Sequence, residues 1–195
     1  MMFAGKKIGF GITGSHHTHA SVFKEMKRLV AEGAEVYPFI TDTVKITDTV
    51  HGKAVEKIEE LEAITGKRVI SSIVDAEPFG PKIPLDCMVI APLTGNSLSK
   101  MANAQTDNAV LMAAKATLRN GTPVVVGVST NDALGLNGIN LMRLFAVKNI
   151  YFIPFGQDDP YKKPNSLVAD WSLLLDTIKA ALLHKQIQPV LISYH

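Results

Sequence analysis

The sequence has little cysteine, little excess charge of either sign and no long apolar run. Its single cysteine, Cys87, lies inside an apolar stretch, which excludes a disulfide-linked secreted scaffold and is typical of the reducing cytosol. The net charge of +2 is too small to attract nucleic acid or a membrane surface by charge alone. No segment approaches the roughly 18 consecutive apolar residues that a membrane-spanning helix requires. We therefore expect a cytoplasmic protein with no nucleic-acid or membrane partner.

The length and apolar content are those of one globular domain. Hydrophobic residues make up 47% of the 195 residues and charged residues 19%, so the chain can bury a core without a disulfide or metal. No internal repeat, low-complexity tract or linker divides it. We predict a single domain over residues 1–195, in which residues 186–195 form a tail that adds a strand or reaches onto a neighbour.

Short β-branched or apolar runs alternate with longer segments of helical spacing. This alternation predicts parallel strands joined by helical crossovers, and therefore a sheet covered on both faces. The expected fold is α/β, a Rossmann-like three-layer sandwich with a mostly parallel six-stranded sheet. The predicted strands are residues 7–13, 35–40, 68–73, 87–91, 124–128 and 150–155.

Five helices are predicted around these strands. The first begins near His19, the second covers about residues 53–65, the third covers about 97–119 with a break near Thr106, and the fourth covers about 139–145. The fifth follows a last apolar stripe. That stripe consists of Leu167, Trp171, Leu174, Ile178 and Leu182. In such folds ligands bind at the carboxyl ends of the strands, so the loops after the strands are the candidate sites.

The loop after the first predicted strand, residues 13–19, is the first candidate site. It opens a helix, where backbone N–H groups and the helix dipole favour an anion. Gly14 lets the backbone approach a ligand closely, and the hydroxyls of Thr13, Ser15 and Thr18 can donate to phosphate oxygens. The pattern predicts a phosphate site; the alternative is a small turn capped by Ser15.

Two other ligands are less well matched by this loop. The glycines of residues 9–14 have the spacing G-x-G-x-x-G, but the first two lie within the strand, and the second strand leads into Thr41 and Asp42 without an acidic ribose ligand at its end. NAD binding by this chain is therefore not expected. His16 and His19 can share a helix face, yet nothing nearby in the sequence completes a metal site, which favours a solvated or phosphate-facing cluster.

The loop after the fourth predicted strand is the second candidate site. A turn at Pro92 leads to Thr94, Asn96 and Ser97, which place backbone N–H donors, hydroxyls and a carboxamide at the start of a helix. Asn96 can both donate and accept hydrogen bonds, which suits the uracil-like edge of a flavin ring, and Lys100 follows one turn later. The alternative is that Ser97 only caps the helix and Lys100 is solvated.

The loops after the fifth and sixth predicted strands carry weaker signals. Ser129 opens a glycine-bearing loop that is either a mobile cover over the site or an ordinary surface loop. The tyrosine and two lysines of residues 161–163 either reach an anionic ligand or are solvated. No arrangement typical of a nucleophile, a catalytic triad or a carboxylate pair stands out, and Cys87 is expected in the core. The sequence therefore predicts a phosphate-bearing ligand more clearly than a catalytic residue.

Three of these segments together resemble a known family. Residues 12–15, 92–97 and 129–132 fall where the homo-oligomeric flavin-containing decarboxylase superfamily has its glycine-serine phosphate turn, its Pro-Ala-Ser-Ala-Asn-Thr segment and its Pro-Ala-Met-Asn segment. The resemblance covers nearly the whole chain. It implies flavin mononucleotide (FMN) as a cofactor and a homo-oligomer, a trimer or a multiple of one.

The resemblance also implies a set of cofactor-binding residues. Gly14, Ser15 and Thr18 are expected at the phosphate, and four residues at the ring or ribityl side: Thr41, Asn96, Ser97 and Lys100. Pro92, Thr94 and Ser129 complete the set without an assigned part. The superfamily's decarboxylases carry a catalytic histidine before the fourth strand, whereas residues 75–81 contain none. Cysteine decarboxylation is therefore not expected, and the catalytic residues stay unassigned.

Within the superfamily, the chain resembles subunits from spore-forming bacteria that act in the mother cell. Such subunits work with a separate dehydrogenase-like subunit, and NAD(P) is expected on that partner. The resemblance implies an oxidoreductase subunit that helps to aromatise a dihydropyridine dicarboxylate. Two alternatives stay open: a non-catalytic partner subunit that keeps the fold, and a flavin prenyltransferase, whose Tyr-x-x-Pro-x-Ser pattern matches residues 161–166.

Overall fold

Helices pack on a central sheet in the computed structural model, which describes residues 1–193. The predicted α/β, Rossmann-like class is confirmed. Within the described residues the sheet has seven strands: β1 Lys7–Ile12, β2 Glu35–Ile40, β3 Cys87–Leu93, β4 Val124–Thr130, β5 Ile150–Phe152, β6 Phe155–Gly156 and β7 Leu167–Ala169.

The five parallel strands lie in the order β2-β1-β3-β4-β5. Ile8 of β1, for example, lies beside Val36 of β2 and Cys87 of β3. The short strands β7 and β6 extend the end of β4 in antiparallel pairing, with Ser129 opposite Val168. The sheet is therefore parallel through its centre and antiparallel at one corner.

Eight α-helices accompany these strands in residues 1–193. They are α1 His19–Ala31, α2 Asp42–Ile46, α3 Ala54–Thr65, α4 Ile73–Ala76, α5 Gly95–Ala102, α6 Ala109–Arg119, α7 Gly138–Phe145 and α8 Leu174–Ala181. Short 3-10 turns at His16–Thr18, Glu77–Phe79 and Trp171–Leu173 precede α1, follow α4 and precede α8. No prediction covers the short helices α2 and α4.

The central strands are apolar because helices cover the sheet on both sides. Every residue of β3 and six of the seven residues of β4 are buried. From β1 the chain moves outward to β2, and from β3 it moves the opposite way to β4, so right-handed crossovers place α1 and α6 on opposite faces. On the face of α1, α8 contacts both that helix and the sheet, whereas α4 packs beside α6.

The strand predicted at residues 68–73 is wrong. Within this segment Ile70 alone pairs with the sheet, through a parallel bridge to Phe39 at the outer edge of β2. Ser72 then accepts a hydrogen bond from Asp75 N at 3.1 Å and caps α4. The capping serine starts a helix where the apolar pattern alone predicts that the strand continues.

The last helix begins later than its apolar stripe indicates. Leu167, the first residue of the predicted stripe, belongs to β7 and lies opposite Thr130. Asp170 Oδ1 accepts from Ser172 N at 3.0 Å, which turns the chain out of the strand, and α8 starts only at Leu174. The apolar residues therefore keep helical spacing back into the preceding strand, although the helix itself begins only at Leu174.

Two predicted segments are each divided into two elements. The helix predicted over residues 97–119 breaks near Thr106, as expected, and Asn108 Oδ1 caps α6 by accepting from Leu111 N at 3.1 Å. The strand predicted over residues 150–155 separates into β5 and β6 around Pro154, which has no N–H to donate to a sheet.

The described part of the C-terminal tail lies along β6. Val190 O accepts from Phe155 N, and Phe155 O accepts from Ile192 N, both at 3.0 Å. These bonds form an isolated parallel bridge between Phe155 and Leu191. The tail is thus held against the chain's own sheet edge, and residues 194–195 lie outside the described part.

Candidate functional site

The crevice at the carboxyl ends of β1 and β3 is the candidate site. The chain leaves β1 for β2 and later returns to β3 on the other side of β1, so the strand order reverses between β1 and β3. Loops diverge at such a switch point and leave a crevice for a ligand. Two clefts open here, and Gly14 and Thr94 line both of them.

A hydrogen-bonded latch at Thr13 joins the loops that follow β1 and β3. The buried Thr13 hydroxyl donates to Pro92 O at 2.6 Å and accepts from Thr94 N at 3.1 Å. One residue past Gly14, Ser15 Oγ lies 2.8 Å from Ser129 Oγ at the end of β4. The two contacts fix the relative positions of three strand-end loops, so the shape of the crevice is largely set before a ligand arrives.

The first cleft has a volume of about 360 Å³, within the usual range for small-molecule sites. Its walls are mostly small and polar, and they consist of Gly14, Thr41, Asp42, Thr43, Thr94, Asn96, Ser97, Lys100, Asp107 and Asn108. The buried hydroxyl of Thr41 has no hydrogen-bond partner within residues 1–193. A buried polar group without a partner is costly, so this hydroxyl suits a ligand atom.

The amino terminus of α5 forms one wall of the first cleft. Thr94 Oγ1 accepts from Ser97 N at 3.4 Å, which caps the helix. A Cβ added to Gly95 would lie 2.6 Å from Thr130 Oγ1 and 2.9 Å from Asp132 Oδ1, so only glycine lets the helix start this close to the end of β4. The first N–H groups of a helix have no partner within it, and they favour an anion or an acceptor.

Lys100 is paired with a carboxylate across the first cleft. Its Nζ lies 2.6 Å from Asp107 Oδ2, and this hydrogen bond holds the pKa of Asp107 below its usual value. Asn108 Nδ2 donates to the other oxygen of Asp107 at 3.1 Å. The pair leaves little net positive charge in the first cleft, so Lys100 is neither simply solvated nor free to bind a phosphate alone.

The second cleft is larger, about 570 Å³, and three histidines lie on its walls. Its walls come from the loops after β1, β3 and β6, the end of β4, β7 and the turn before α3: Gly14, Ser15, His16, His17, Thr49, His51, Thr94, Gly95, Ser129, Thr130, Asn131, Asp158, Lys163, Ser166 and Val168. Lys163 Nζ lies 3.2 Å from Asp158 Oδ2, so these two charges offset each other.

A buried lysine lies directly behind the second cleft. Lys57 is 5% exposed, and its Nζ lies 2.7 Å from His16 Nδ1 and 3.5 Å from Thr49 Oγ1. Burial lowers the pKa of Lys57, against the opposing charges of Asp48 and Glu56. Burial also lowers the pKa of His16, and the charge of Lys57 adds to that effect. The ammonium therefore donates to a neutral imidazole.

His19 is buried behind the loop after β1 and is not solvated. Its Nε2 lies 2.8 Å from Thr13 O and donates to it, and the ring stacks on Phe23 with centroids 5.6 Å apart. Burial lowers the pKa of His19 to about 4, the bond to Thr13 opposes that shift, and the charges of His16, Lys57 and His17 add to it. His19 is thus neutral at pH 7, which corrects the solvated or phosphate-facing position expected from the sequence.

Eight of the ten predicted cofactor residues line the two clefts, and two do not. Thr18 is buried and its hydroxyl donates to Ser15 O at 2.8 Å, so it is engaged in the turn and does not face a ligand. Pro92 is buried within β3 and contributes only its carbonyl, to Thr13. Of the tyrosine and two lysines at residues 161–163, Lys163 lines the second cleft.

Several residues on or behind the cleft walls have no prediction from the sequence, and Lys57 is the most informative. The buried residues of α3 are Ala54, Lys57 and Leu61, spaced three and four apart. A lysine inside an apolar helical stripe is the signal that marks it, because lysine is rarely buried without a reason. His51 lies in the turn before the helix, and no sequence pattern connects it to the loop after β1.

Other candidate chemistries are not represented in the described residues. Among residues 1–193, no group of three or more histidine, cysteine, aspartate or glutamate side chains is arranged to hold a metal ion. Across the same residues, no helix is long and apolar enough to cross a membrane. Cys87 is buried in the core, as expected, and burial raises the pKa of its thiol, which makes it unreactive.

The strand order and the position of the crevice define a class of protein. A doubly wound sheet of order 2-1-3-4-5 with its site between β1 and β3 is the arrangement of flavodoxin-like proteins, which hold FMN at this switch point. The model of the family described as Flavoprotein matches residues 2–182. The chain therefore belongs to the Flavoprotein family, and the resemblance found in the sequence is confirmed.

Within the family, the chain is similar over nearly its full length to a named protein. It is 64% identical over 189 residues to the B subunit of dipicolinate synthase of Bacillus subtilis (strain 168), covering 97% of this chain and 94% of that protein. The crystal structure of the dipicolinate synthase B subunit from Bacillus halodurans superimposes with a TM-score of 0.92 at 65% identity, covering 100% of both chains. The FMN-dependent cysteine decarboxylase SpaF, at 20% identity and a TM-score of 0.66 over 92% of this chain and 97% of its own, shares the fold.

Proposed function

We propose that this chain is the B subunit of a dipicolinate synthase. It acts with the dehydrogenase-like A subunit of dipicolinate synthase to form dipicolinate from a dihydrodipicolinate-type precursor during sporulation, in the mother-cell cytoplasm of a spore-forming bacterium. The observation that carries the proposal is the 64% identity to the Bacillus subtilis protein over 97% of this chain. The chain is expected to form a homo-oligomer, a trimer or a multiple of one.

The first cleft fits FMN by three features of its walls. Gly14 has no side chain to cover its backbone, which is therefore accessible. A Cβ added at this position would lie 3.2 Å from Thr43 Cγ2. Thr41 offers a buried hydroxyl without a partner within residues 1–193, and Asn96 is exposed at the start of α5. We propose that Gly14 contacts the phosphate end together with Ser15, which lies next to it on the wall of the adjoining second cleft. Thr41, Asn96 and Ser97 contact the ribityl or ring side.

The proposed reaction is a dehydrogenation. Converting a dihydropyridine dicarboxylate to the aromatic pyridine removes two electrons and two protons, and aromaticity favours the product. FMN, when bound, supplies an electron acceptor at this site, and NAD(P) on the dehydrogenase-like partner supplies another. The residues of this chain orient the ring and bind its carboxylates beside the cofactor, because the two clefts meet at Gly14 and Thr94.

Turnover of the two subunits together tests the proposal. The dehydrogenase-like partner alone, this chain alone and the mixture are compared for dipicolinate formation from the precursor. Turnover by the mixture that neither protein shows alone is the expected result. A double variant, Ser15→Ala with Asn96→Ala, lowers the activity of the mixture if the clefts take part, whereas Asn165→Ala, an exposed asparagine outside both clefts, does not. Equal turnover by the partner alone contradicts the proposal.

An absorbance titration separates a catalytic from a purely supporting role. FMN is added to the purified chain and the flavin band is followed to saturation. Saturable binding that the double variant weakens supports a flavin-binding subunit. Absence of binding at high FMN concentration, together with full activity of the double variant in the mixture, identifies a partner subunit that keeps the fold without the cofactor.

A further inference from the structure

The second cleft carries one ion pair and three imidazoles on its walls. Its acidic side chain, Asp158, is offset by Lys163 at 3.2 Å, and hydrogen bonds from Ser166 and Lys163 keep the Asp158 pKa low despite its burial. The other ionisable groups on its walls are imidazoles. Behind the wall lies Lys57, and none of the ion pairs formed within residues 1–193 includes it.

Lys57 is a buried ammonium that forms no direct ion pair within residues 1–193, although the charges of Asp48 and Glu56 act on it from a greater distance. Buried charges in proteins are normally paired, because removing an ion from water costs several kcal/mol. Lys57 donates instead to His16 Nδ1 at 2.7 Å and reaches Thr49 Oγ1 at 3.5 Å, and both of these residues line the second cleft. His16 Nε2 is itself buried without a partner in the described part of the chain. An anion in the cleft would lie one side chain away from this charge and stabilise it.

Two further imidazoles are placed to contact such an anion. His17 and His51 are both exposed, and their ring centroids lie 6.4 Å apart with an angle of 52° between the ring planes. His17 Nδ1 lies 3.4 Å from Ser15 Oγ, which orients the ring at the mouth of the cleft. An oxygen anion between the two rings accepts hydrogen bonds from both, and each bond is strengthened when the imidazole is protonated.

We propose that the second cleft binds a small dicarboxylate, with His17 and His51 as its hydrogen-bond donors and Lys57 as the charge behind them, and that binding takes up a proton. The dicarboxylate class rests on the proposed function, whereas the choice of an anion rests on the three imidazoles of the walls, the unpartnered Nε2 of His16 and the lysine behind it. His17, His51 and Lys57, together with the ionisable groups that face them, form the histidine cluster. Its members are His16 and His17 from the loop after β1, His19 from α1, Asp48 and His51 from the turn before α3, Glu56 and Lys57 from α3, and Asp158 and Lys163 from the loop after β6.

Proton uptake follows from the protonation state of the histidine cluster when no ligand is bound. The burial and neighbouring cations that lower the pKa of His16 keep it neutral near pH 7. An anion reverses the sign of the local field and favours the imidazolium form. The affinity for a dicarboxylate therefore falls as pH rises through the pKa of the complex, by up to about tenfold per pH unit for each proton taken up.

Calorimetric titration of the full chain with pyridine-2,6-dicarboxylate tests the proposal. Titrations at pH 6.5 and pH 8.0, each in two buffers of different ionisation enthalpy, give the affinity and the number of protons taken up. We expect tighter binding at the lower pH, with net proton uptake. His51→Gln and His17→Gln should each weaken binding about tenfold, the loss typical of one charge-assisted hydrogen bond. Lys57→Met should weaken it further.

A matched control and two competing anions make the test decisive. His184→Gln changes an exposed histidine bonded to Asn149 Oδ1, outside both clefts, and should leave binding unchanged. Equal affinity for wild type, His51→Gln and His17→Gln, or affinity independent of pH, overturns the proposal. Inorganic phosphate that binds the second-cleft histidines more tightly than the dicarboxylate overturns it as well, and assigns the cleft to the cofactor's phosphate.

The same variants distinguish this inference from the proposed function. If the mixture of the two subunits turns over and FMN binds, but the second-cleft variants keep full dicarboxylate affinity, the inference alone fails. If the mixture is no faster than the dehydrogenase-like partner, the proposed function fails whatever the calorimetry shows. Lost dicarboxylate binding in His51→Gln with unchanged FMN binding supports the inference and places the two ligands in separate clefts.

Discussion

The two clefts share a wall but differ in almost every property of their side chains. The first cleft is built from hydroxyls, two carboxamides, the carboxylate of Asp42 and the start of α5, and its one lysine is paired with Asp107. The second has three histidines on its walls and a buried lysine behind them. The first therefore offers mainly neutral hydrogen-bonding groups, whereas the second offers imidazoles that can donate to an anion. Adjoining sites of this kind suit two ligands of different chemistry that must meet at one point.

Acidification is expected to have the largest effect on the free energy of unfolding. It acts through His19, which is buried behind the loop after β1. The unfolded chain binds a proton at His19 near pH 6.5, whereas the folded chain does so only near pH 4. The free energy of unfolding therefore falls as pH decreases from about 6.5 to about 4, by about 3 kcal/mol in total. Urea denaturation at a series of pH values measures this, and His19→Gln should flatten the dependence. A slope that is the same in His19→Gln and in wild type contradicts the assignment.

Loss of the latch should damage both clefts together. Thr13→Val keeps the shape of the side chain but leaves Pro92 O and Thr94 N without their partner. We expect a loss of about 2 kcal/mol in the free energy of unfolding, and weaker binding of FMN and of the dicarboxylate. Thr122→Val, which removes a half-buried hydroxyl bonded to Thr117 O, is the control and should cost less. If only one ligand is affected by Thr13→Val, the clefts are not joined by this contact.

Crowding at the start of α5 should disturb both clefts. In Gly95→Ala the new methyl group would lie 2.6 Å from Thr130 Oγ1 and 2.9 Å from Asn137 Nδ2, so the helix start must shift. We expect a stability loss of about 1 kcal/mol and weaker binding of both ligands, because Gly95 lines the second cleft and Asn96 of the same helix start lines the first. Fluorescence titration with each ligand measures the two losses. Gly121→Ala, at a left-handed position with open space, tests whether stability loss alone lowers FMN affinity.

The smallest change in stability is expected at Thr41. Here a substitution should raise stability but lower FMN affinity. Its buried hydroxyl has no partner within the described residues, so Thr41→Val removes an unsatisfied group and should raise the free energy of unfolding by up to about 1 kcal/mol. The same variant should bind FMN about tenfold more weakly, because the hydroxyl is kept for the ligand. Stability and FMN affinity that fall together would show that the hydroxyl is structural.

The sequence predicts the loops of the site well because local chemistry determines them. A glycine-bearing turn after β1 and a capped helix start after β3 need only neighbouring residues, and parallel strands bring their carboxyl ends to the same edge. The contact between Lys57 and His16 depends on the rotation of α3 and on the path of residues 47–53. Such long-range placement leaves only an indirect trace in the sequence, a lysine in an apolar stripe.

The glycine spacing in β1 shows how packing can imitate a binding motif. A Cβ on Gly9 would lie 2.6 Å from Leu85 Cδ1 and from Met88 Sδ, and one on Gly11 would lie 2.6 Å from Val110 Cγ1. These glycines make room for neighbouring side chains over the strand, which accounts for their spacing without a ligand. The strand predicted at residues 68–73 fails for a different reason, since this segment is only half-buried at the sheet edge and pairs there through Ile70 alone.

The tail beside β6 has a consequence for solubility during folding. An uncovered sheet edge presents unpaired N–H and C=O groups to other chains and is a template for aggregation. At this edge the N–H of Phe155 donates to Val190 O, and the C=O of Phe155 accepts from Ile192 N. If residues 190–192 undocked, the N–H and C=O of Phe155 would be left unpaired at this edge, so the tail shields this part of the sheet from pairing with another chain.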